Sequence, residues 1–166
     1  MRKLVVFGLL LIMGCSTDNV LSYEDQMKKD LKYIDKYLEE NNITTIKDET
    51  GLRLKIDNAG SGVPMTIDAR GLVVKYTGKF FNGAVFAQST LNSAGLPEPF
   101  RGRTGELLPL KDMIEAWQIT FTKYVAKGGK ATIYVPSGLA YGHTGSGTIP
   151  PNANLIFEVE LINFSY

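Results

Sequence analysis

The chain has 166 residues, 44% of them hydrophobic and 10% aromatic, which is enough to bury one ordinary core and favours a single domain. Its 18 Lys and Arg nearly cancel its 17 Asp and Glu and form no run of like charge, so the electrostatic footprint of a nucleic-acid binder is missing. One cysteine and one histidine exclude an internal disulfide and leave no ligand set for a zinc or thiol site.

Met1-Arg2-Lys3 is basic and Leu4 to Met13 is apolar. The run is too short to span a bilayer as a helix and reads as a signal peptide over residues 1–14. It closes on Ile12-Met13-Gly14-Cys15, which resembles the bacterial lipobox. That resemblance implies a lipidated Cys15, a tether over 15–21 and an exported, membrane-anchored lipoprotein of the cell envelope. The alternative is an ordinary secretory signal with a chance cysteine. Ser16 follows the cysteine in place of the Asp associated with inner-membrane retention, which places the expected anchor in the outer membrane.

Ser22 with Asp25 three residues later forms a capping-box-like start. A helix is expected over 22–42, with Met27, Leu31, Ile34 and Leu38 at helical spacing and Asn41-Asn42 ending it. Its apolar stripe is expected to pack on the main domain, a dimer contact being the alternative. From Ile43 the texture changes to short apolar runs broken by Gly, Pro and Asn. Strands are expected at 52–56, 72–78, 131–136 and 155–164. In the last, Leu155, Phe157, Val159 and Leu161 share one face while Glu158 and Glu160 take the solvent face, the pattern of an antiparallel sheet covered on one side. The cover is expected from a short helix through "DMIEAWQITF", where Ile114, Trp117 and Phe121 are spaced three and four apart. The connection from Gln88 to Pro109 holds too many Gly and Pro for one regular element and reads as a bulge or flap. The fold class is α+β: a twisted antiparallel sheet with one short helix across it, preceded by an N-terminal helix.

Most motifs for bond-breaking chemistry fail on inspection. Ser146 in Gly145-Ser146-Gly147 lacks the outer glycines of a nucleophile elbow, and no phosphate-loop lysine follows. His143 sits in a Gly-rich loop and is expected to be exposed. Glu158 and Glu160 read as solubilising groups. What remains is a set of aromatic and aliphatic residues at strand and loop junctions: Tyr76, Phe86, Trp117, Tyr141, Ile149 and Phe157. Singly each reads as core. Two tyrosines beside glycines, in "KYTG" and "AYGHTG", instead suggest polar tips at the edge of an apolar cavity.

The segments "VVKYTGKFFNGAVF" (73–86), "MIEAW" (113–117) and "LAYGHTGSGTIPPNANLIFEVEL" (139–161) resemble the FKBP family of peptidyl-prolyl isomerases, over about residues 51–164. The resemblance implies a twisted antiparallel sheet wrapped around a short helix, an isomerase domain over 43–166, and catalysis of X-Pro isomerisation with no metal and no cofactor. It implies that Tyr76 and Phe86 form one wall of a proline pocket, Trp117 its floor, and Phe157 with Ile149 its other sides. Met113 and Ile114 would bind substrate, the Ile114 N–H holding a carbonyl, and Tyr141 would supply a hydroxyl. Partners would be proline-containing polypeptides of the cell envelope and macrolide-type inhibitors, with the membrane reached through the lipid anchor and no nucleic acid bound. Oligomeric state is not implied. Ala87 stands where many members carry Asp, and Ala116 where Gly is usual. The first departure raises a rival expectation, a non-catalytic chaperone or peptide-binding module with reduced turnover. A weaker third is an assembly role for the N-terminal helix.

Overall fold

The computed structural model describes residues 21–166, and the expected signal segment, Cys15 and most of the tether lie outside them. Helix α1 (Tyr23–Glu40) starts where Ser22 Oγ accepts the Asp25 N–H, and its final carbonyls bond Asn41. Six strands follow: β1 (Ile46–Lys47), β2 (Arg53–Asn58), β3 (Arg70–Phe80), β4 (Val85–Gln88), β5 (Lys130–Val135) and β6 (Leu155–Ser165). They form one sheet, ordered β1-β2-β5-β6-β3-β4, with every neighbouring pair antiparallel. Its backbone is the long β3–β6 ladder, running from Arg70 opposite Ser165 to Phe80 opposite Leu155. The α+β architecture expected from the sequence is the one observed.

Alternation in β5 and β6 divides the sheet into two packed faces. Ile133, Val135, Leu155, Phe157, Val159 and Leu161 point into the main core, together with Trp117, Phe121 and Leu110. The short helix α2 (Glu115–Ile119) crosses this face and unwinds into a π-helical turn over Thr120–Tyr124. The expected helix therefore starts later than "DMIEAWQITF" suggested, because Ile114 takes an extended ψ of 146° as its N-cap.

The opposite face is not simply solvent. Tyr134 and Ile156, the alternate residues, pack beneath Ile34 and Leu38 of α1. The buried face of α1 also includes Asp30, a carboxylate that the apolar spacing did not indicate. Arg53 of β2 fixes the helix through Asp35, donating Nε at 2.8 Å and Nη2 at 3.1 Å.

Candidate active site

The site lies beside α2, between its Trp117 and the sheet face that the helix crosses. Trp117 stands at the centre with its ring edge-on to four others, at centroid distances of 5.3 Å to Tyr76, 5.4 Å to Phe100, 5.7 Å to Phe121 and 5.8 Å to Phe157. Edge-to-face pairs are favoured by the ring quadrupole, so the indole is fixed by packing. Its N–H is buried without an acceptor among the described residues. Phe86 of β4 meets Phe157 of β6 at 5.6 Å and 90°.

These rings bound a cavity of about 100 Å³ lined by Tyr76, Phe86, Ala87, Phe100, Met113, Ile114, Trp117, Tyr141 and Phe157. That volume equals roughly three waters of bulk liquid, room for one small apolar ring. Gly78 keeps it open: a Cβ there would come within 2.7 Å of the Phe86 ring and 3.1 Å of Phe157.

The polar groups at the cavity are few. Gln118 donates to the carbonyls of Met113 at 2.8 Å and Lys111 at 3.0 Å, pinning the approach to α2. The adjacent Ile114 N–H has no acceptor among the described residues. Burial pushes the Tyr76 hydroxyl above its ordinary pKa. Burial does the same to Tyr141, reinforced by the nearby Tyr76. Both phenols therefore stay protonated at neutral pH and able to donate.

Seven of the eight pocket residues expected from the sequence line this cavity. Ile149 does not: it is buried in the core behind the loop. It closes the Ser146–Ile149 turn, exchanging backbone bonds with Ser146 at 2.8 and 2.9 Å. Gly145 permits that turn, since its φ is +68° and a Cβ would approach the Ile149 carbonyl to 2.3 Å. Ser146 is thus a turn residue, and His143 is exposed. Phe100 was not expected. It lies in the breaker-rich connection, where a single aromatic carries no periodic signal, yet its N–H bonds the Leu72 carbonyl at 3.1 Å and sets its ring beside Tyr76 and Trp117. Among the described residues no cluster of three or more His, Cys, Asp or Glu side chains is placed to hold a metal ion.

The pattern describing FKBP-type peptidyl-prolyl cis-trans isomerases matches residues 67–162, more than half of the chain. The chain belongs to that family. The chain is 40% identical over 114 residues to the peptidyl-prolyl cis-trans isomerase Mip of Coxiella burnetii, covering 68% of this chain and 44% of that protein. It is 34% identical over 139 residues to the isomerase FkpA of Escherichia coli, covering 84% and 46% respectively. The crystal structure of Escherichia coli FkpA superposes with a TM-score of 0.65 at 31% identity, over 86% of this chain and 60% of that one. The chain spans less than half the length of the first three curated relatives it matches. A further relative, 37% identical over 115 residues, is the FK506-binding protein 4 of Dictyostelium discoideum.

The comparisons correct the expected location. The matches to FkpA and Mip isomerases overturn the outer-membrane lipoprotein expectation. That expectation rested on a short apolar run before a cysteine, and such a run reads the same in the leader of a soluble exported protein.

Proposed function

We propose that the chain accelerates cis-trans isomerisation of X-Pro bonds in exported polypeptides, with residues 43–166 as the catalytic unit. The observation that carries this reading is the small aromatic cavity with an unengaged Ile114 N–H at its rim. Rotation about a peptide bond faces a barrier of about 18–20 kcal/mol because amide resonance is lost at the twisted state. No bond is broken, so no nucleophile, metal or acid-base pair is needed. The prolyl ring enters between Tyr76, Phe86, Trp117 and Phe157, while the Ile114 N–H and the Tyr141 hydroxyl hold carbonyls of the bound segment. The planar amide is more dipolar than the twisted one, so an apolar surround penalises the ground state more. A millionfold acceleration needs about 8 kcal/mol. One hydrogen bond at about 1–3 kcal/mol does not supply that, so shape and orientation carry the larger share.

A second reading is a binding module with weak turnover. It is favoured by Ala87, which lines the cavity and offers no polar group beside the rotating amide. Exchange rates measured on a short Xaa-Pro peptide with the full chain separate the two. The parent is expected to catalyse exchange, and Ala87→Asp to raise the rate. Peptide binding without catalysis by the parent would reject the enzymatic reading.

A further inference from the structure

Asp30 is 2% exposed and Ser137 fully buried. Carboxylates are almost never so enclosed unless their oxygens are satisfied. Asp30 is satisfied by neutral donors: Gln26 Nε2 at 2.7 Å, the Ser137 N–H at 2.9 Å and the Ser137 Oγ at 2.6 Å. Two of these three bonds go to one residue 107 positions away in sequence, at the start of the β5–β6 connection that carries Tyr141.

Ser137 passes the constraint on. Its carbonyl accepts the N–H of Ala140 at 3.0 Å and of Gly142 at 2.9 Å, the two neighbours of Tyr141. Its N–H is shared with Asn154 Oδ1 at 3.1 Å, one residue before the strand that delivers Phe157. The contact with α1 is close-fitting, because a Cβ on Gly138 would lie 2.7 Å from the Tyr23 ring and 3.2 Å from Met27 Cε. A continuous chain of bonds thus runs from the buried face of α1 to both sides of the cavity tyrosine. Asp30 is the link by which α1 enters this chain of bonds, accepting both the N–H and the hydroxyl of Ser137.

We propose that Asp30 is a positioning residue, by which α1 holds the Ser137–Gly142 segment and sets Tyr141 against the bound peptide. Its effect on catalysis rests on the isomerase reading above; its effect on the segment does not. The other polar anchor of α1 provides the control, since Asp35 bonds Arg53, which in turn donates to the Gly51 carbonyl at 2.9 Å. That link leads to β2 and away from the cavity.

The test uses the full chain carrying Asp30→Asn, Ser137→Ala or Asp35→Asn. It reads amide hydrogen exchange at Ala140 and Gly142, urea unfolding, and KM and kcat on an Xaa-Pro peptide. Asp30→Asn is expected to speed exchange at those two amides about tenfold beyond any change in global stability. It is expected to raise KM about fivefold with kcat within about twofold. Ser137→Ala should show smaller shifts of the same kind, and it decides the matter if Asp30→Asn does not fold. Asp35→Asn should lower stability with exchange at Ala140 and Gly142 following only the global change. Unchanged local exchange in Asp30→Asn, or equal acceleration in Asp35→Asn, overturns the proposal. So does local loosening with KM unmoved. Should the parent show no catalysis, the isomerase reading fails while exchange still decides whether Asp30 holds the segment.

Discussion

Two aromatic clusters lie on opposite faces of the same sheet, and they end differently. On one face Phe81 meets Tyr33 at 5.3 Å and Tyr37 at 4.8 Å, both carried by α1, and Tyr134 of β5 at 6.2 Å. On the other, Trp117 gathers Tyr76, Phe100, Phe121 and Phe157 at similar distances, yet about 100 Å³ stays open. The rings are alike; the covering helices are not. Helix α1 has 18 residues, about 27 Å at 1.5 Å per residue. Helix α2 has 5, about 7.5 Å by the same rise, and its π-helical continuation adds 5 more residues. Strands β3 and β6, with 11 residues each, run for about 35 Å. Rings from β3, β4, β6 and the Phe100 connection wall the small cavity beside α2, whereas the larger hollows at Tyr33, Phe81, Tyr37 and Tyr134 on the α1 face are bordered by polar groups such as Asp30, Asn82, Lys55 and Glu158.

The sharpest way to break this contrast is to remove one ring from each face. Trp117→Ala is expected to cost about 3–5 kcal/mol of stability and to lower prolyl-peptide affinity by at least tenfold. Phe81→Ala is expected to reduce the unfolding free energy while leaving peptide affinity within about twofold. Urea unfolding and peptide titration measure both. Equal loss of affinity in the two variants would mean that the faces are not functionally distinct.

The cavity face was the more legible of the two. Strict alternation in β6, a tryptophan three residues after Ile114, and tyrosines beside glycines are signals that survive in one sequence, because periodicity and turn chemistry are local. What was illegible depended on non-local pairing. Strand β1 has only two residues and β4 four, too short to show a period; each exists because a longer neighbour offers a ladder. Phe100 sits among breakers and is recruited by a bond to Leu72. Ile149, expected as a pocket wall, lies in the same buried cluster as Trp117 and Phe157 without lining the cavity. Asp30 was least legible: a carboxylate in a charged helix reads as solvated, and only Ser137, far along the chain, explains its burial.

The two faces also differ in what anchors their helices, and pH exposes one anchor. Burial pushes the Asp48 carboxyl up, but this is outweighed by hydrogen bonds from the Thr50 hydroxyl, the Tyr124 hydroxyl and the Thr50 N–H, and by the Lys123 charge, leaving its pKa at about 2. Tyr124, which donates at 2.7 Å, closes the π-helical turn after α2, so Asp48 holds the short helix from its far end. The folded pKa lies below the ordinary 3.8, so the unfolded chain binds more protons in acid. The stabilisation is complete above about pH 4 and lost as pH falls through 2, and it amounts to about 2 kcal/mol. Asp48→Asn should therefore lower stability by about that much at pH 7 and flatten the acid limb between pH 4 and 2, with KM unchanged. Urea unfolding as a function of pH measures it, and an acid limb as steep as the parent's would show that other carboxylates dominate.

The smallest expected effect tests whether α1 acts on the cavity as a whole or through one residue. Ser22 Oγ accepts the Asp25 N–H at 3.1 Å and donates to its carboxylate at 2.8 Å, and both residues are exposed. Ser22→Ala removes the cap and is expected to cost about 1 kcal/mol, confined to the first turn of the helix. Asp30 lies two turns further in, so its bonds to Ser137 should persist. Thermal unfolding should register the lost cap while exchange at Gly142 and the KM for peptide remain those of the parent. If fraying of that first turn alone raised KM, the influence of α1 would be spread along its length, through Tyr23 and Met27 against Gly138, instead of being concentrated at Asp30.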